Sequence, residues 1–341
     1  MNEEVIKAAQ KTFIALKNPY GSVERVFPNI IEEYAHCQDI TYLGVKNVGT
    51  ISIAFIHKLK TKGFYLHTLD KASVAGRAVD ISLKNPYTGL PMTGSSSGTA
   101  INVLIGVNDI GIGTDGGGSV LAPAMAVNLI GFISPLLDKE TLEKRPARIS
   151  TDGLRFKASL GCISKELKLI ERLIEADNPE LTPDLELRQL KVISDSVEGI
   201  GGGEFKPQIM DLSFKNAPRE KLISKLSGLL DEADVLISKE GPIDLDGFGD
   251  SVLGHHDDFT RALQDRGNKG FIRVANIAGV TAITIPAKEF ATGYVFMCHS
   301  EVPKIKKLLG LASRLYVPNE KHFDRYFSDS KEYFPRQFGD L

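Results

Sequence analysis

Two loops of small residues hold the groups whose types and spacing could do chemistry. Thr93-Gly94-Ser95-Ser96-Ser97-Gly98-Thr99 is followed by an apolar stretch from Ala100 to Val107, then by Gly111-Ile112-Gly113-Thr114-Asp115-Gly116-Gly117-Gly118-Ser119. Glycines let the backbone approach a ligand closely and present successive N–H groups, which a developing oxyanion needs. Gly116, Gly117, Gly118 and Ser119 offer such groups in a row, beside the Ser119 hydroxyl. That hydroxyl is a weak nucleophile until a base takes its proton. Gly118-Ser119-Val120 lacks the Gly-x-Ser-x-Gly of a nucleophile elbow, and no spacing brings any of the seven histidines to it. A histidine triad assembled in space stays open, and serine with lysine is the next known solution.

These loops must be held by a scaffold. Short apolar runs bounded by turn residues alternate with helical patterns, the signature of an α/β fold with a large mixed, mostly parallel sheet between helix layers. Helices are expected at 3–17, 51–62, 164–176, 219–230 and 303–315. In the third, Leu167, Ile170, Leu173 and Ile174 mark an apolar face behind a Ser164 cap. Strands are expected at 64–67, 191–194, 235–238 and 281–285. A single domain spanning 1–341 is expected, with no internal repeat, and with 178–260 as a variable excursion over the site. Within it, Gly199-Ile200-Gly201-Gly202-Gly203 is followed by Glu204, Phe205, Lys206 and Pro207, not by the helix start of a phosphate loop, so a flexible turn is expected there.

Composition narrows the function classes. The 41 basic and 43 acidic residues are evenly spread and give a net charge of −2, without the basic stripe that a nucleic-acid backbone requires. The acidic N-terminus has no leader pattern, and no run approaches the ~18 apolar residues of a membrane span. A cytoplasmic protein with no nucleic-acid or membrane partner is therefore expected. Cys37, Cys162 and Cys298 have neither disulfide-framework nor zinc spacing and read as buried apolar residues. The adjacent side chains of His255-His256-Asp257-Asp258 diverge, which suits a solvated helix start better than a metal site. The amphipathic segment 3–17 is the surface on which a second copy would pack in a homodimer.

Taken together, the two loops resemble the core of the amidase-signature family. Gly94-Ser95-Ser96-Ser97-Gly98 is similar to that family's Gly-Ser-Ser-[Gly/Ser]-Gly loop. Gly113-Thr114-Asp115-Gly116-Gly117-Gly118-Ser119 is similar to its Gly-Thr-Asp-x-Gly-Gly-Ser loop, at the interval the pattern requires. Asn85-Pro86-Tyr87, Leu160-Gly161-Cys162-Ile163-Ser164 and Ala275-Asn276-Ile277-Ala278-Gly279-Val280-Thr281-Ala282-Ile283-Thr284-Ile285-Pro286 resemble further family segments in order. The resemblance implies an amide hydrolase working without cofactor or metal, through an acyl-enzyme, on a small acyl amide. It implies Ser119 as nucleophile, Ser95 as bridging serine with a strained or cis peptide around Ser95–Ser96, and an oxyanion hole from Gly116, Gly117, Gly118 and Ser119. Ser96, Thr114 and Asp115 would support them. The lysine of the implied triad matches Lys46 in Gly44-Val45-Lys46-Asn47, with Lys71 as substitute.

The chain also departs from the pattern. It is shorter than typical members, mainly between Lys46 and Ser95. Asn47 stands where the family commonly has aspartate, and Thr93 replaces the first glycine of the serine loop. Leu121 occupies the position of an arginine, which removes one natural partner for a carboxylate-bearing substrate. These departures keep two other readings in view: a non-catalytic binding or assembly protein on the same fold, and an amidotransferase A-subunit-like protein.

Overall fold

Strand runs such as Ile130-Gly131-Phe132-Ile133-Ser134 are buried at every position, which requires cover on both faces of the sheet. The computed structural model describes residues 3–33, 40–187, 189–196 and 206–318, with Tyr326, Phe327, Tyr333 and Phe334 beyond them. Cys37 and the glycine cluster Gly199–Gly203 lie outside the described residues.

One eleven-stranded sheet runs through the molecule. In chain order its strands are β1 (Val23–Val26), β2 (Thr41–Lys46), β3 (Phe64–Asp70), β4 (Ile110–Asp115), β5 (Ile130–Ser134) and β6 (Ser159–Ser164). They continue with β7 (Val192–Ser194), β8 (Gln208–Ile209), β9 (Val235–Glu240), β10 (Val280–Pro286) and β11 (Gly293–His299). Across the sheet the order is β1-β3-β2-β4-β6-β5-β10-β11-β9-β7-β8.

The sheet is mixed, as expected, but its parallel pairings sit toward the two sides. β3 with β2, β2 with β4, β9 with β7 and β7 with β8 are parallel. The run from β4 through β6, β5, β10 and β11 to β9 is antiparallel at every joint, as is the edge pair β1 and β3. Two causes are visible. β10 and β11 are joined only by residues 287–292, too short for a parallel crossover, and β6 inserts between β4 and β5, running against both.

Helices Ser97–Leu104, Leu121–Met125 and Arg219–Glu232 cover one face through Ile101, Leu104, Leu121, Leu226 and their neighbours. Helices Ile53–Lys60, Leu167–Asp177 and Val302–Leu315 cover the other through Phe55, Leu59, Ile170 and Leu309. Ser52 caps its helix by accepting the Phe55 N–H at 3.0 Å. Ser164 does not cap: it ends β6, accepts the Glu166 N–H at 3.1 Å, and the helix begins at Leu167. Asp257 starts helix Asp258–Asp265 with a capping box shared with Thr260. Cys162 and Cys298 are buried. Helix Glu3–Lys17 buries Ala8, Thr12, Ile14 and Ala15 and leaves Phe13 and Leu16 exposed. Among the described residues no helix is long and apolar enough to cross a membrane.

Candidate active site

The site grows from the carboxyl ends of two adjacent parallel strands. β2 ends on Lys46 and β4 ends on Asp115, with Gly44 opposite Gly111 and Val45 opposite Ile112. In open α/β sheets ligands gather beyond such ends. The serine loop 93–97 turns from a small hairpin, Val79–Lys84 with Pro91–Thr93, into helix Ser97–Leu104.

Lys46 is only 3% exposed. Its Nζ lies 2.6 Å from Ser95 Oγ, 3.1 Å from Thr114 Oγ1 and 3.3 Å from the Thr114 carbonyl oxygen. Burial lowers its pKa to about 7; the Asp115 carboxylate opposes that shift and Arg148 adds to it. Lys71 is tied in differently, its carbonyl accepting the Gly98 N–H at 3.2 Å. The peptide bond between Gly94 and Ser95 is cis, one bond before the place expected from the sequence.

Ser119 is half-buried, and its carbonyl accepts the Ser96 N–H at 3.1 Å, tying the two loops together. Its hydroxyl makes no hydrogen bond among the described residues, so the step from Ser119 to Ser95 is not closed by one. Nor is a histidine hydrogen-bonded to either serine among them. Buried His67, for instance, faces Thr12, Asn108 and the Val107 carbonyl, and burial lowers its pKa to about 4. Ser96 Oγ is buried without a partner, whereas Ser97 donates to Asp80 at 2.5 Å.

Of the four N–H groups expected to form an oxyanion hole, two are already engaged. Asp115 Oδ1 accepts the N–H groups of Gly117 at 3.0 Å and Gly118 at 2.7 Å, and Oδ2 accepts that of Val120 at 2.7 Å. Gly118 has φ +98°, a conformation that favours glycine and lets the chain curl around the carboxylate. Burial raises the Asp115 pKa, and these N–H donors oppose the shift. The N–H groups of Gly116 and Ser119 have no hydrogen-bond partner among the described residues. Above Gly116 lies the Phe156 ring, 2.6 Å from where a Cβ would stand, so a side chain there would force the ring away.

Several residues around the loops carry no sequence motif. Thr93 Oγ1 donates to Asp244 Oδ2 at 2.7 Å, and the same oxygen lies 2.6 Å from Lys269 Nζ. Thr93 thus anchors the serine loop to the region expected to be variable, which gives its replacement of glycine a structural role. Leu121 is fully buried in the apolar core. The cations nearest Gly117 come from elsewhere: Arg219, Arg273 and Lys269 line a cavity against that glycine. Nothing local in the sequence marks them, because they converge only through the fold.

Residues 83–135 match the family described as Amidase. Among solved structures, an amidase family protein from Bacillus anthracis superposes with a TM-score of 0.58 at 13% identity, over 91% of this chain and 88% of that one. A bacterial aryl acylamidase of the amidase signature family gives 0.61 at 13% identity, over 94% of each chain. A glutamyl-tRNA(Gln) amidotransferase component from Thermotoga maritima gives 0.56 at 16% identity, over 91% of each. No curated protein matches the chain in sequence.

Proposed function

We propose an amide hydrolase in which Ser119, Ser95 and Lys46 act in series, a reading supported by the match of residues 83–135 to the family described as Amidase and by a fold like that of amidase-signature enzymes. The observation that carries this reading is the buried Lys46 amine, 2.6 Å from Ser95 Oγ, with its pKa lowered to about 7. A neutral amine has two N–H donors and one lone pair. The Thr114 carbonyl can only accept, and Thr114 Oγ1 accepts when its own proton points away, which leaves the lone pair for the Ser95 O–H.

The chemistry follows from that polarity. The relay requires the Ser119 side chain to turn its hydroxyl toward Ser95. Ser119 Oγ attacks the amide carbon while its proton passes to Ser95 and the Ser95 proton passes to Lys46. The oxyanion is received by the Gly116 and Ser119 N–H groups. The proton then returns through Ser95 to the leaving nitrogen, the C–N bond breaks, and an acyl ester remains on Ser119. Water attacks that ester with the same relay, releasing a carboxylic acid and restoring the serine.

The test is turnover of an acyl-amide panel by wild type, Ser119→Ala and Lys46→Ala, with labelling of Ser119 by a serine-directed fluorophosphonate read by mass spectrometry. Labelling and turnover that vanish in Ser119→Ala support the proposal. A second reading, a non-catalytic amidase-fold protein, is favoured by the unbonded Ser119 hydroxyl and by the two N–H groups committed to Asp115. Folded protein that neither labels nor turns over any amide would establish it over the first.

A further inference from the structure

A second cluster of charge borders the turn that follows Lys46. A cavity of about 130 Å³ is lined there by Thr50, Leu142 and Pro146 and by three cations, Arg145, Arg148 and Lys157. All three cations are exposed. Arg145 donates from Nη2 to the Gly49 carbonyl at 2.9 Å, Arg148 from Nη2 to Thr50 Oγ1 at 3.4 Å, and Lys157 from Nζ to the Glu143 carbonyl at 2.8 Å. None of these acceptors is a carboxylate. Among the described residues no carboxylate lines the cavity or lies within ion-pair distance of the three, and that of Glu143 faces Lys139 instead, at 3.7 Å.

Three positive charges around one small hollow draw in anions. Both guanidinium groups keep Nε and Nη1 without a protein partner among the described residues, a fork that suits the oxygens of a phosphate, and the ammonium adds a point charge. The volume is that of about four molecules of liquid water, enough for a tetrahedral oxyanion, and three cations match a dianion better than a single carboxylate. The hollow also adjoins the relay. Gly49 and Thr50 belong to the turn after Lys46, and Arg148 opens the hairpin Arg148–Ile149 with Arg155–Phe156, whose Phe156 ring lies over Gly116. The charges acting on Lys46 are the Asp115 carboxylate, from the end of β4, and the Arg148 guanidinium.

We propose that Arg145, Arg148 and Lys157 bind a tetrahedral dianion, free phosphate or the phosphate group of an ester, and that its binding restrains the relay at neutral pH. The restraint rests on Lys46 being the base. Arg148 helps to keep Lys46 neutral, and an anion seated on Arg148 offsets that charge and favours the ammonium. Binding then draws a proton onto Lys46 near pH 7. By reciprocity the ammonium form binds the anion more tightly than the amine does. At pH 9, where the amine is neutral either way, the restraint disappears.

The experiment titrates sulfate, which has the shape of phosphate and no proton of its own near pH 7, into wild type, Arg148→Gln and Lys46→Met. Calorimetry at constant ionic strength, in buffers of different ionisation enthalpy, reads affinity and proton uptake together. Wild type binds with proton uptake at pH 7, and Lys46→Met binds without it. Arg148→Gln weakens binding by about 10- to 100-fold, the value of a charge-assisted hydrogen bond. Absence of binding to wild type, or equal binding by Arg148→Gln, overturns the site; binding to wild type without proton uptake overturns the coupling. Inorganic phosphate and glycerol phosphate, titrated in parallel, separate the free ion from the ester by which binds more tightly. In turnover of an acyl amide, saturating sulfate lowers kcat/KM at pH 6.5 by about 2- to 10-fold, up to one unit of displaced ionisation, and leaves that at pH 9 unchanged. An equal fall at both pH values marks occupation of the amide site and overturns the coupling. If no amide is turned over, the hydrolase reading fails, and the titration still decides the anion site.

Discussion

Lys46 meets Ser95 across 49 positions of sequence, Nζ to Oγ 2.6 Å, inside a pocket that lowers the pKa of the amine to about 7. A base works only when deprotonated. Below pH 7 the amine is ammonium and cannot take the Ser95 proton; above it the lone pair is free. kcat/KM therefore rises with pH along a single ionisation near 7 and then levels off. A pH–rate profile measures this directly, and a flat profile from pH 6 to 9 would remove Lys46 from the relay. Lys46→Ala is expected to lose at least ~10²-fold in kcat, the scale of a general base.

The same residue sets a stability slope. The folded pKa of about 7 lies below the ordinary lysine value of 10.5, so between those values the unfolded chain binds more protons than the folded one. Stability then rises with pH across that window, and below pH 7 the full penalty of a buried ammonium is present. Lys46→Met removes the penalty. Its melting temperature at pH 6 should exceed that of wild type, by an amount equivalent to roughly 1–4 kcal/mol, and the gap should close toward pH 10. Scanning calorimetry over that range checks the sign.

Asp244 holds two partners with one oxygen: the Thr93 hydroxyl at 2.7 Å and the Lys269 ammonium at 2.6 Å. Thr93→Val removes a neutral donor and should cost about 1 kcal/mol. Asp244→Ala also strands a buried ammonium and should cost about 3–5 kcal/mol. Urea denaturation of the two variants separates these costs, and equal losses would show that the ion pair is not what anchors the serine loop.

What could be read in advance followed contiguity. The serine and glycine loops are unbroken stretches, so their chemistry is visible in order. Helices such as Glu3–Lys17 show their buried face through local periodicity. Ser164 reads as a cap because it stands before an apolar-periodic run, yet β6 claims it through its pairing with Ile110 and Ile130. The antiparallel centre of the sheet was hidden because β6 finds its place between β4 and β5 by long-range order. Asp115 precedes a glycine run, and only the curl of the loop shows that it takes two of the N–H groups for itself. Arg219, Arg273, Lys269 and Asp244 lie in stretches without a motif and meet only after folding.

The pairing of β2 with β4 has a consequence for when a functional molecule can first exist. Side chains alternate across a strand, so a slip of one residue in that ladder would send Lys46 to the opposite face, away from Ser95. The proposed relay would therefore report correct register, and a chain with its loops formed but this ladder unpaired would lack it. During refolding, recovery of Ser119 reactivity should trail the formation of the sheet and should never precede it.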